Sequence, residues 1–113
     1  MDCLFCKIAS GEIPASIIYQ DDKIIIFDDI NPQAPHHKIV IPRKHISSLN
    51  ELETADSSVL GHMVFSSAEL AKKLNIEKEG YRLVMNCNAL GGQTVFHIHI
   101  HLLGGRQMTW PPG

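Results

Sequence analysis

Three histidines occupy alternating positions near the end of the chain, within the segment 96–103. The residues between and after them, Ile98, Ile100 and Leu102, are aliphatic, and this alternation predicts a β-strand. Successive side chains on a strand point to opposite faces, so the three imidazoles should share one face and the aliphatic side chains should enter the core. Because imidazole can act as a nucleophile and carries a proton near neutral pH, we expect this strand to carry the chemistry.

The length and charge of the chain limit its class. With 113 residues we expect one domain, residues 1–113, and at this size dimerisation would be a natural supplement to a modest core. Ten basic and 12 acidic residues give a net charge of −2, which argues against a general binder of nucleic acid or of anionic membranes. No apolar run approaches the roughly 20 residues of a membrane span, and no secretory signal pattern opens the chain, so we expect a cytoplasmic protein.

Hydrophobic periodicity and turn residues divide the chain into two helices and five strands. The predicted elements are a short helix over 5–10 closed by Gly11, strands over 17–19, 23–27, 37–42, 81–86 and 97–103, and a long helix from an N-cap at Thr54 to about Leu74. The long helix has a single apolar stripe at helical spacing, as a core-packing helix has. Strand pairs flanking one long helix predict an α+β fold, a mainly antiparallel five-stranded sheet with the long helix on one face and a short N-terminal helix.

The residues alone leave three interpretations of the histidine strand. The histidines can be partly exposed side chains without a chemical role, ligands of a catalytic metal, or the machinery of covalent catalysis without a catalytic metal. The upstream loop Gly91-Gly92-Gln93-Thr94 favours the third, because glycine lets the backbone approach a phosphoryl group closely and the loop offers polar donors. The chain has no P-loop motif.

Cys3 and Cys6 form a C-x-x-C pair, which has metal-ligand spacing but supplies only half of a tetrahedral site. His45 and His97 are available as the missing ligands. The alternative is a pair of reduced thiols on one face of the first helix. A thioredoxin-like redox role is less favoured, because no βαβ pattern surrounds the motif. We expect the third cysteine, Cys87, to be a small buried or loop thiol.

The pattern His-φ-His-φ-His-φ-φ, in which φ is apolar, is matched in full over 97–103 and resembles the signature of the histidine-triad (HIT) superfamily. Further segments resemble the Hint branch of nucleotide-binding phosphoramidases, in the same order along nearly the whole chain. These segments are Phe5-Cys6-Lys7-Ile8, Glu12-Ile13-Pro14, Asp29-Ile30-Asn31-Pro32-Gln33-Ala34-Pro35, Ile41-Pro42-Arg43-Lys44-His45-Ile46, Gly80-Tyr81-Arg82, Gly91-Gly92-Gln93, and the tail from Leu103 to Trp110-Pro111-Pro112-Gly113.

This resemblance implies a hydrolase that cleaves the P–N bond of nucleoside 5′-phosphoramidates, of the AMP–amine or AMP–lysine type, and releases the nucleoside monophosphate. His99, the middle histidine of the triad, would attack phosphorus and form a nucleotidyl-histidine intermediate. His101 and His37 would hydrogen-bond the phosphate oxygens. Thr94 stands where the family usually has serine, and its hydroxyl would hydrogen-bond the leaving group. No cofactor is required for this reaction.

The resemblance also implies a purine nucleotide pocket. Asp29 would accept hydrogen bonds from the ribose hydroxyls, and Ile30 would pack against the base. The full set of implied nucleotide contacts is Phe5, Ile8, Phe27, Asp29, Ile30, Asn86, Gly92, Gln93 and Trp110. Ordinary core packing is the alternative for Phe5, Ile8, Phe27 and Ile30, a turn position for Asp29, and a solvated strand start for His37.

Some bacterial HIT proteins and the related galactose-phosphate uridylyltransferases bind a structural zinc. The resemblance would place such an ion on Cys3, Cys6, His45 and His97. Strict alternation puts His97 and His99 on the same face, so the two sites must lie side by side or be separated by a local bulge.

Hint proteins are homodimers in which the C-terminal tail reaches the partner's active site, and Trp110 is then a candidate contact to the leaving group. Two other functions stay open. One is a dinucleoside polyphosphate hydrolase of the Fhit type, which the Trp110-Pro111-Pro112-Gly113 ending disfavours. The other is a nucleotide-responsive interaction module whose hydrolysis is incidental. His36 and His62 are expected at the surface.

Overall fold

The computed structural model describes residues 2–113. Its helices and strands are α1 Leu4–Ser10, β1 Ile17–Gln20, β2 Ile24–Asp28, β3 His36–Pro42, the 3₁₀ turns Leu49–Glu51 and Thr54–Asp56, α2 Ser57–Lys73, β4 Tyr81–Val84 and β5 Ile100–Gly104. The predicted α+β architecture, with one long helix and a short N-terminal helix, is confirmed. The helices of this part of the chain lack the length and the continuous apolar surface of a membrane-spanning segment.

The five strands form one antiparallel sheet in the order β1-β2-β3-β5-β4. The last strand in sequence therefore lies inside the sheet, between β3 and β4. In the register of β3 with β5, His37 is opposite Leu103 and Ile39 is opposite His101. This pairing brings a histidine from the first half of the chain beside the triad.

The strands alternate their side chains between two apolar layers. On one face, Ile25 and Phe27 of β2 pack with Ile39 of β3 and with α1. On the other face, Ile100 and Leu102 of β5 pack against α2. His101 lies between these two residues of β5, so it projects onto the α1 face. Each buried aliphatic side chain contributes about 1.5–3 kcal/mol, and the two layers fix which face carries the histidines.

Local capping explains the bounds of α1. The Cys3 sulfur accepts a hydrogen bond from the Cys6 N–H at 3.3 Å, which satisfies a free donor at the start of the helix. Gly11 ends the helix in the left-handed region, with φ of 83°, and its N–H donates to the carbonyl of Ile8. The predicted close at Gly11 is confirmed. Capping places both thiols at the first turn, one turn of helix apart.

The prediction that Thr54 caps the long helix is wrong. Thr54 begins a 3₁₀ turn, and α2 starts three residues later at Ser57. The buried Asp56 carboxylate accepts hydrogen bonds from the Glu53 N–H at 2.9 Å and from the Lys44 ammonium at 2.7 Å. A carboxylate with these two partners holds the chain in the tighter turn before the α-helix begins.

The histidine strand is shorter than predicted. Residues 95–97 form a bend, and β5 starts only at Ile100. The Ile98 N–H donates to the carbonyl of Ile46 at 2.8 Å and takes no part in the sheet ladder. Of the three triad histidines, only His101 lies within the strand. The expectation that Ile98, Ile100 and Leu102 enter the core is nevertheless confirmed. Likewise β4, predicted to reach residue 86, ends at Val84, where its pairing with β5 ends.

Candidate active site and metal set

His99 is held by the chain that precedes β5. Its Nδ1 lies 2.8 Å from the carbonyl oxygen of His97, and because a carbonyl only accepts, Nδ1 carries the proton. The other ring nitrogen, Nε2, then bears the lone pair. Burial lowers the pKa of His99, although the hydrogen bond to His97 and the charge of Asp29 oppose this effect. At neutral pH His99 is therefore a neutral imidazole whose Nε2 is available as a nucleophile.

A second fixed tautomer belongs to His37. The backbone N–H of Gln33 donates to Nδ1 of His37 at 3.0 Å, so this nitrogen accepts and the proton of the neutral ring is on Nε2. His37 Nε2 lies 2.9 Å from Nδ1 of His101 and donates to it. The same logic leaves His101 with its proton on Nε2. His37 is buried, so the alternative of a solvated strand start is wrong.

Both of these rings are neutral at physiological pH. Burial lowers the pKa of His37, and the Asp29 charge opposes that shift. Burial, followed by the charges of His99 and His37, lowers the pKa of His101 to about 4. The His99 and His101 rings lie 4.9 Å apart between centroids, so the donor at His101 is next to the nucleophile.

Asp29 occupies a turn position, and its second carboxylate oxygen faces the histidine cluster. One carboxylate oxygen accepts from the Asn31 N–H at 2.7 Å, as a turn residue does. The other oxygen lies 3.4 Å from Nε2 of His37. The carboxylate is therefore at the edge of the histidine cluster, where its predicted contact with ribose stays a prediction.

Cys3, Cys6, His45 and His97 form a four-residue cluster, here called the Cys/His set. His97 Nδ1 lies 3.4 Å from the Cys3 sulfur and 3.5 Å from the Cys6 sulfur. His45 Nδ1 lies 3.3 Å from the Cys6 sulfur and 3.2 Å from His97 Nδ1. A tetrahedral zinc ion would separate its sulfur and nitrogen ligands by about 3.6 Å and two nitrogens by about 3.3 Å. These four distances are close to the spacing that such an ion needs, and all four donor atoms lie within 4.8 Å of one another.

The surroundings of His97 also suit a metal. Its side chain is 0% exposed, and Nε2 donates to the carbonyl of Pro42 at 2.8 Å. The lone pair on Nδ1 therefore faces the sulfurs, and a donated second N–H is what metal-binding histidines have. Burial and the contact with Cys3 raise the pKa of the Cys6 thiol, so a bound cation is what would convert it to thiolate.

Asp29, His37 and His101 also bring three donor atoms within 4.8 Å of one another, as two histidines and a carboxylate do in some iron sites. In this cluster, the hydrogen bond on the other ring nitrogen of His37 has the wrong direction for a metal ligand. A metal on Nε2 of His37 would require a proton on Nδ1, where the Gln33 N–H already donates. This cluster is organised as a hydrogen-bond chain, and the Cys/His set is the one prepared for a metal.

The two sites lie side by side, which is one of the two arrangements that the sequence allowed. The Phe5 ring stands edge-on to both histidines, with centroids 6.0 Å from His97 and 5.0 Å from His99. Phe5, Ile8 and Phe27 are buried in the layer between α1 and the sheet, so the core-packing alternative describes them. Ile30 is 101% exposed, and core packing is wrong for it.

The glycine loop is closed more tightly than the sequence indicated. The Gln93 side-chain oxygen accepts from the Asn88 N–H, and its amide nitrogen donates to the carbonyls of Ser47 and Val95. The N–H groups of Gly92 and Gln93 donate within the loop, to Ala89 and Asn88. The prediction that Gln93 offers a free polar side chain is wrong, because that side chain holds the loop in shape.

Other implied contacts lie around this loop. Asn86 is half-buried, and its amide nitrogen is 3.9 Å from where a Cβ on Gly92 would stand. Thr94 is exposed and lines a depression of about 460 Å³ with Cys3 and His45, on the side of the Cys/His set. Cys87 is a half-buried loop thiol, as expected.

The C-terminal tail is anchored at two points. Arg106 Nε donates to the carbonyl of Gln33 at 2.9 Å, and a terminal guanidinium nitrogen of Arg82 donates to the carbonyl of Thr109, also at 2.9 Å. Beyond them, Trp110 is 84% exposed. The backbone of Gln33, which faces both His37 and Arg106, had no side-chain signal in the sequence and was missed.

His62 was expected at the surface, and its side chain is 35% exposed there, but it forms a pair that the sequence did not predict. Its ring is half-buried, and Nε2 lies 2.7 Å from an Asp21 oxygen. Although burial alone would raise it, hydrogen bonds from His62, Tyr19 and two backbone N–H groups hold the pKa of Asp21 well below its usual range. His36 is half-buried as well.

Fold and site define a class: a small α+β protein in which one sheet carries a neutral histidine cluster beside a Cys/His set. Residues 2–110 match the family model described as "Scavenger mRNA decapping enzyme C-term binding". An uncharacterized HIT-like protein of Synechocystis is 47% identical over 112 residues, which are 99% of this chain and 97% of that protein. The chain belongs to the HIT superfamily.

Solved structures agree closely. A HIT family hydrolase from Legionella pneumophila superposes with a TM-score of 0.97 at 54% identity, covering 99% of this chain and 100% of that one. A histidine triad nucleotide-binding protein from Candida albicans gives 0.82 at 30% identity, covering 97% and 83% of the two chains. A Zn-bound histidine triad family protein from Mycobacterium smegmatis gives 0.81 at 32%, covering 94% and 76%.

Proposed function

We propose that this protein is a nucleotide-binding hydrolase that cleaves the P–N bond of purine nucleoside 5′-phosphoramidates. The observation that carries the proposal is the hydrogen bond from His99 Nδ1 to the His97 carbonyl, which leaves a neutral Nε2 as nucleophile. The Legionella relative is described as a hydrolase, and the Candida relative as nucleotide-binding. Both descriptions support the proposal.

The reaction proceeds in two displacements. The lone pair of His99 Nε2 forms a bond to phosphorus while the bond from phosphorus to the amine nitrogen breaks, and the departing amine takes up a proton. Water then adds to phosphorus and releases a proton, which balances the one that the amine took up; the bond to His99 breaks, and the nucleoside monophosphate leaves. A hard hydrolysis is thereby divided into two easier steps, with histidine as the transient nucleotide carrier.

The fixed tautomers supply the electrostatics. With the proton of His37 directed at His101 Nδ1, the Nε2–H of His101 is available to a phosphate oxygen. A donor positioned before the reaction stabilises developing negative charge without reorganisation and contributes roughly 3 kcal/mol. Thr94 is our candidate partner of the leaving group, and Asp29, Ile30 and Asn86 are our candidates for the nucleoside side.

We further propose that Cys3, Cys6, His45 and His97 hold a structural zinc ion, with no part in the chemistry at phosphorus. Their donor spacing supports this, as does the Zn-bound relative from Mycobacterium smegmatis. When bound, the ion supplies a cross-link between the N-terminus, the segment after β3 and the approach to β5. In this proposal the nucleotide contacts protein residues and not the zinc ion.

A homodimer completes the proposal, with the tail of one protomer near the partner's active site. The exposed Trp110 and the two arginine anchors of the tail are consistent with a segment that contacts a second molecule. In that arrangement Trp110 contacts the leaving group of the opposite protomer.

The test is hydrolysis of adenosine 5′-phosphoramidate by the purified protein, followed as released AMP. His99→Asn should lower turnover at least about 10³-fold, because the nucleophile is lost, and should still bind AMP. Mass analysis of wild-type protein quenched during turnover should detect AMP on His99.

Full activity of His99→Asn would overturn the nucleophile assignment. Faster cleavage of diadenosine polyphosphate than of the phosphoramidate would favour the polyphosphate hydrolase. Turnover that is very slow beside tight nucleotide binding, with a protein partner that still binds His99→Asn, would favour the interaction module.

A further inference from the structure

We propose that Arg106 is a positioning residue: through the backbone of Gln33 it fixes the tautomer of His37 and so keeps the donor of His101 directed at substrate. This inference deepens the proposed function and rests on it for its catalytic consequence. Arg106 itself is exposed and belongs to the segment that follows the sheet.

Three consecutive hydrogen bonds make the connection. Arg106 Nε donates to the Gln33 carbonyl at 2.9 Å, and the Gln33 N–H donates to Nδ1 of His37 at 3.0 Å. His37 Nε2 then donates to Nδ1 of His101 at 2.9 Å. The Nε2 of His37 also has an Asp29 oxygen at 3.4 Å, but the contact with His101 at 2.9 Å is the shorter of the two. The guanidinium is therefore coupled to the histidine pair through a single residue of the loop.

The turn that contains Arg106 and the loop that contains Gln33 also pack directly against each other. A Cβ on Gly105 would stand 2.9 Å from Cβ and 3.2 Å from Cγ of Pro35. Gly105 has a φ of +92°, which favours glycine and turns the chain toward the loop. The residue before Arg106 thus touches the end of the loop whose start carries Asp29. This contact gives the arginine a defined approach to Gln33.

The loop has internal bonds as well, and these show what the arginine adds. Asp29 accepts from the Asn31 N–H, and the Gln33 side chain donates to the Asn31 carbonyl. Both bonds shape the loop from within. The Arg106 bond ties the loop to the turn that directly follows β5, the strand that carries His101, and so fixes the loop relative to that strand.

The chemical consequence concerns one proton. If the Gln33 N–H moves away from His37, Nδ1 can take the proton and Nε2 becomes an acceptor. His101 must then place its own proton on Nδ1 to keep the bond between the rings, and its Nε2 loses the hydrogen that faces substrate. Both rings stay neutral and in place, but the donor at phosphate is gone.

The experiment compares Arg106→Gln and Arg106→Lys with Arg82→Ala, in ¹⁵N-histidine-labelled full-length protein. Arg82 is the matched control, because it anchors the tail at Thr109 without contacting Gln33. In the wild type and in Arg82→Ala, Nδ1 of His37 should give the resonance of an unprotonated ring nitrogen. In Arg106→Gln that signal should shift toward the protonated form, with Arg106→Lys between the two.

In the phosphoramidate assay, Arg106→Gln should lower kcat about tenfold with KM within about twofold, less than the 10²–10³-fold loss of a direct donor. An unchanged His37 signal in Arg106→Gln, or the same shift in Arg82→Ala, would overturn the inference. If the signal shifts as expected while the wild type cleaves no phosphoramidate, the positioning role stands and the proposed function falls.

Discussion

At the scale of single residues, the site is organised by which nitrogen of each ring carries its proton. Three backbone groups make this choice: the carbonyls of His97 and Pro42 and the N–H of Gln33. They give His99 a free Nε2, turn the lone pair of His97 toward the sulfurs, and direct the proton of His37 at His101. Two neighbouring histidines of one motif thereby direct their lone pairs to different surroundings.

Asp29 offers a test of the electrostatics at this scale. Burial lowers the pKa of His37 and of His101, and the Asp29 carboxylate opposes that effect. Asp29→Asn keeps an oxygen for the Asn31 N–H but removes the charge. The pKa of both histidines should fall further, so the acid limb of the kcat/KM profile should move to lower pH.

The acid limb should move to lower pH because of the protonation state that the reaction needs. In the proposed mechanism the neutral rings are the competent ones, and a lower pKa keeps them neutral in more acidic solution. Histidine NMR titration checks the shift directly. Asp28→Asn removes the same charge one residue away, where the carboxylate pairs with Lys38, and is the control. A limb that moves to higher pH, or moves equally in both variants, would contradict this account.

At the scale of elements, the loop after β2 and the turn after β5 fit together at Gly105. Gly105→Ala meets both a strained φ of +92° and Pro35 at 2.9 Å. Gly11→Ala is the matched control, since Gly11 has a φ of +83° and nothing within 4 Å of the added Cβ. The control should cost about 1 kcal/mol of unfolding free energy, from backbone strain alone.

Gly105→Ala should cost at least about 2 kcal/mol, because Pro35 must also move. Urea unfolding of both variants measures the difference. Equal losses would mean that the loop yields to the methyl group, and that the turn after β5 does not hold it.

The elements also show how far the sequence alone could go. The alternation of Ile98, Ile100 and Leu102 predicted the buried face correctly, because burial follows side-chain hydrophobicity. It could not predict that β5 starts only at Ile100, since the bend depends on His97 reaching Pro42, which is 55 residues earlier.

The candidate site also has a part that the sequence could predict and a part that it could not. The triad and the Cys/His set are recognisable because their chemistry is in their side chains. The role of Gln33 is carried by its backbone N–H, which every residue except proline has, so no residue type could signal it. Asp21 and His62 form a pair across 41 residues of sequence that no local pattern connects.

For the whole molecule, the Cys/His set joins segments that are far apart in the chain, from Cys3 to His97. An ion bound to the folded chain alone should stabilise it by about 2.7 kcal/mol at a free concentration of 100 times Kd. For a chain of this length, that corresponds to a rise in Tm of roughly 10 °C. Calorimetry of zinc-loaded and chelator-treated protein measures this shift.

Cysteine variants separate this effect from general thiol chemistry. Cys6→Ser should lose most of the zinc-dependent shift, because a serine hydroxyl is a poor zinc ligand, whereas Cys87→Ser should keep it. Since the phosphorus chemistry is assigned to His99 and His101, the chelated wild type should still hydrolyse phosphoramidate at 20 °C, where it stays folded. Loss of turnover on chelation without unfolding would show that the metal takes part in the reaction. Equal zinc-dependent Tm shifts in the two serine variants would show that Cys6 is not a ligand of the metal.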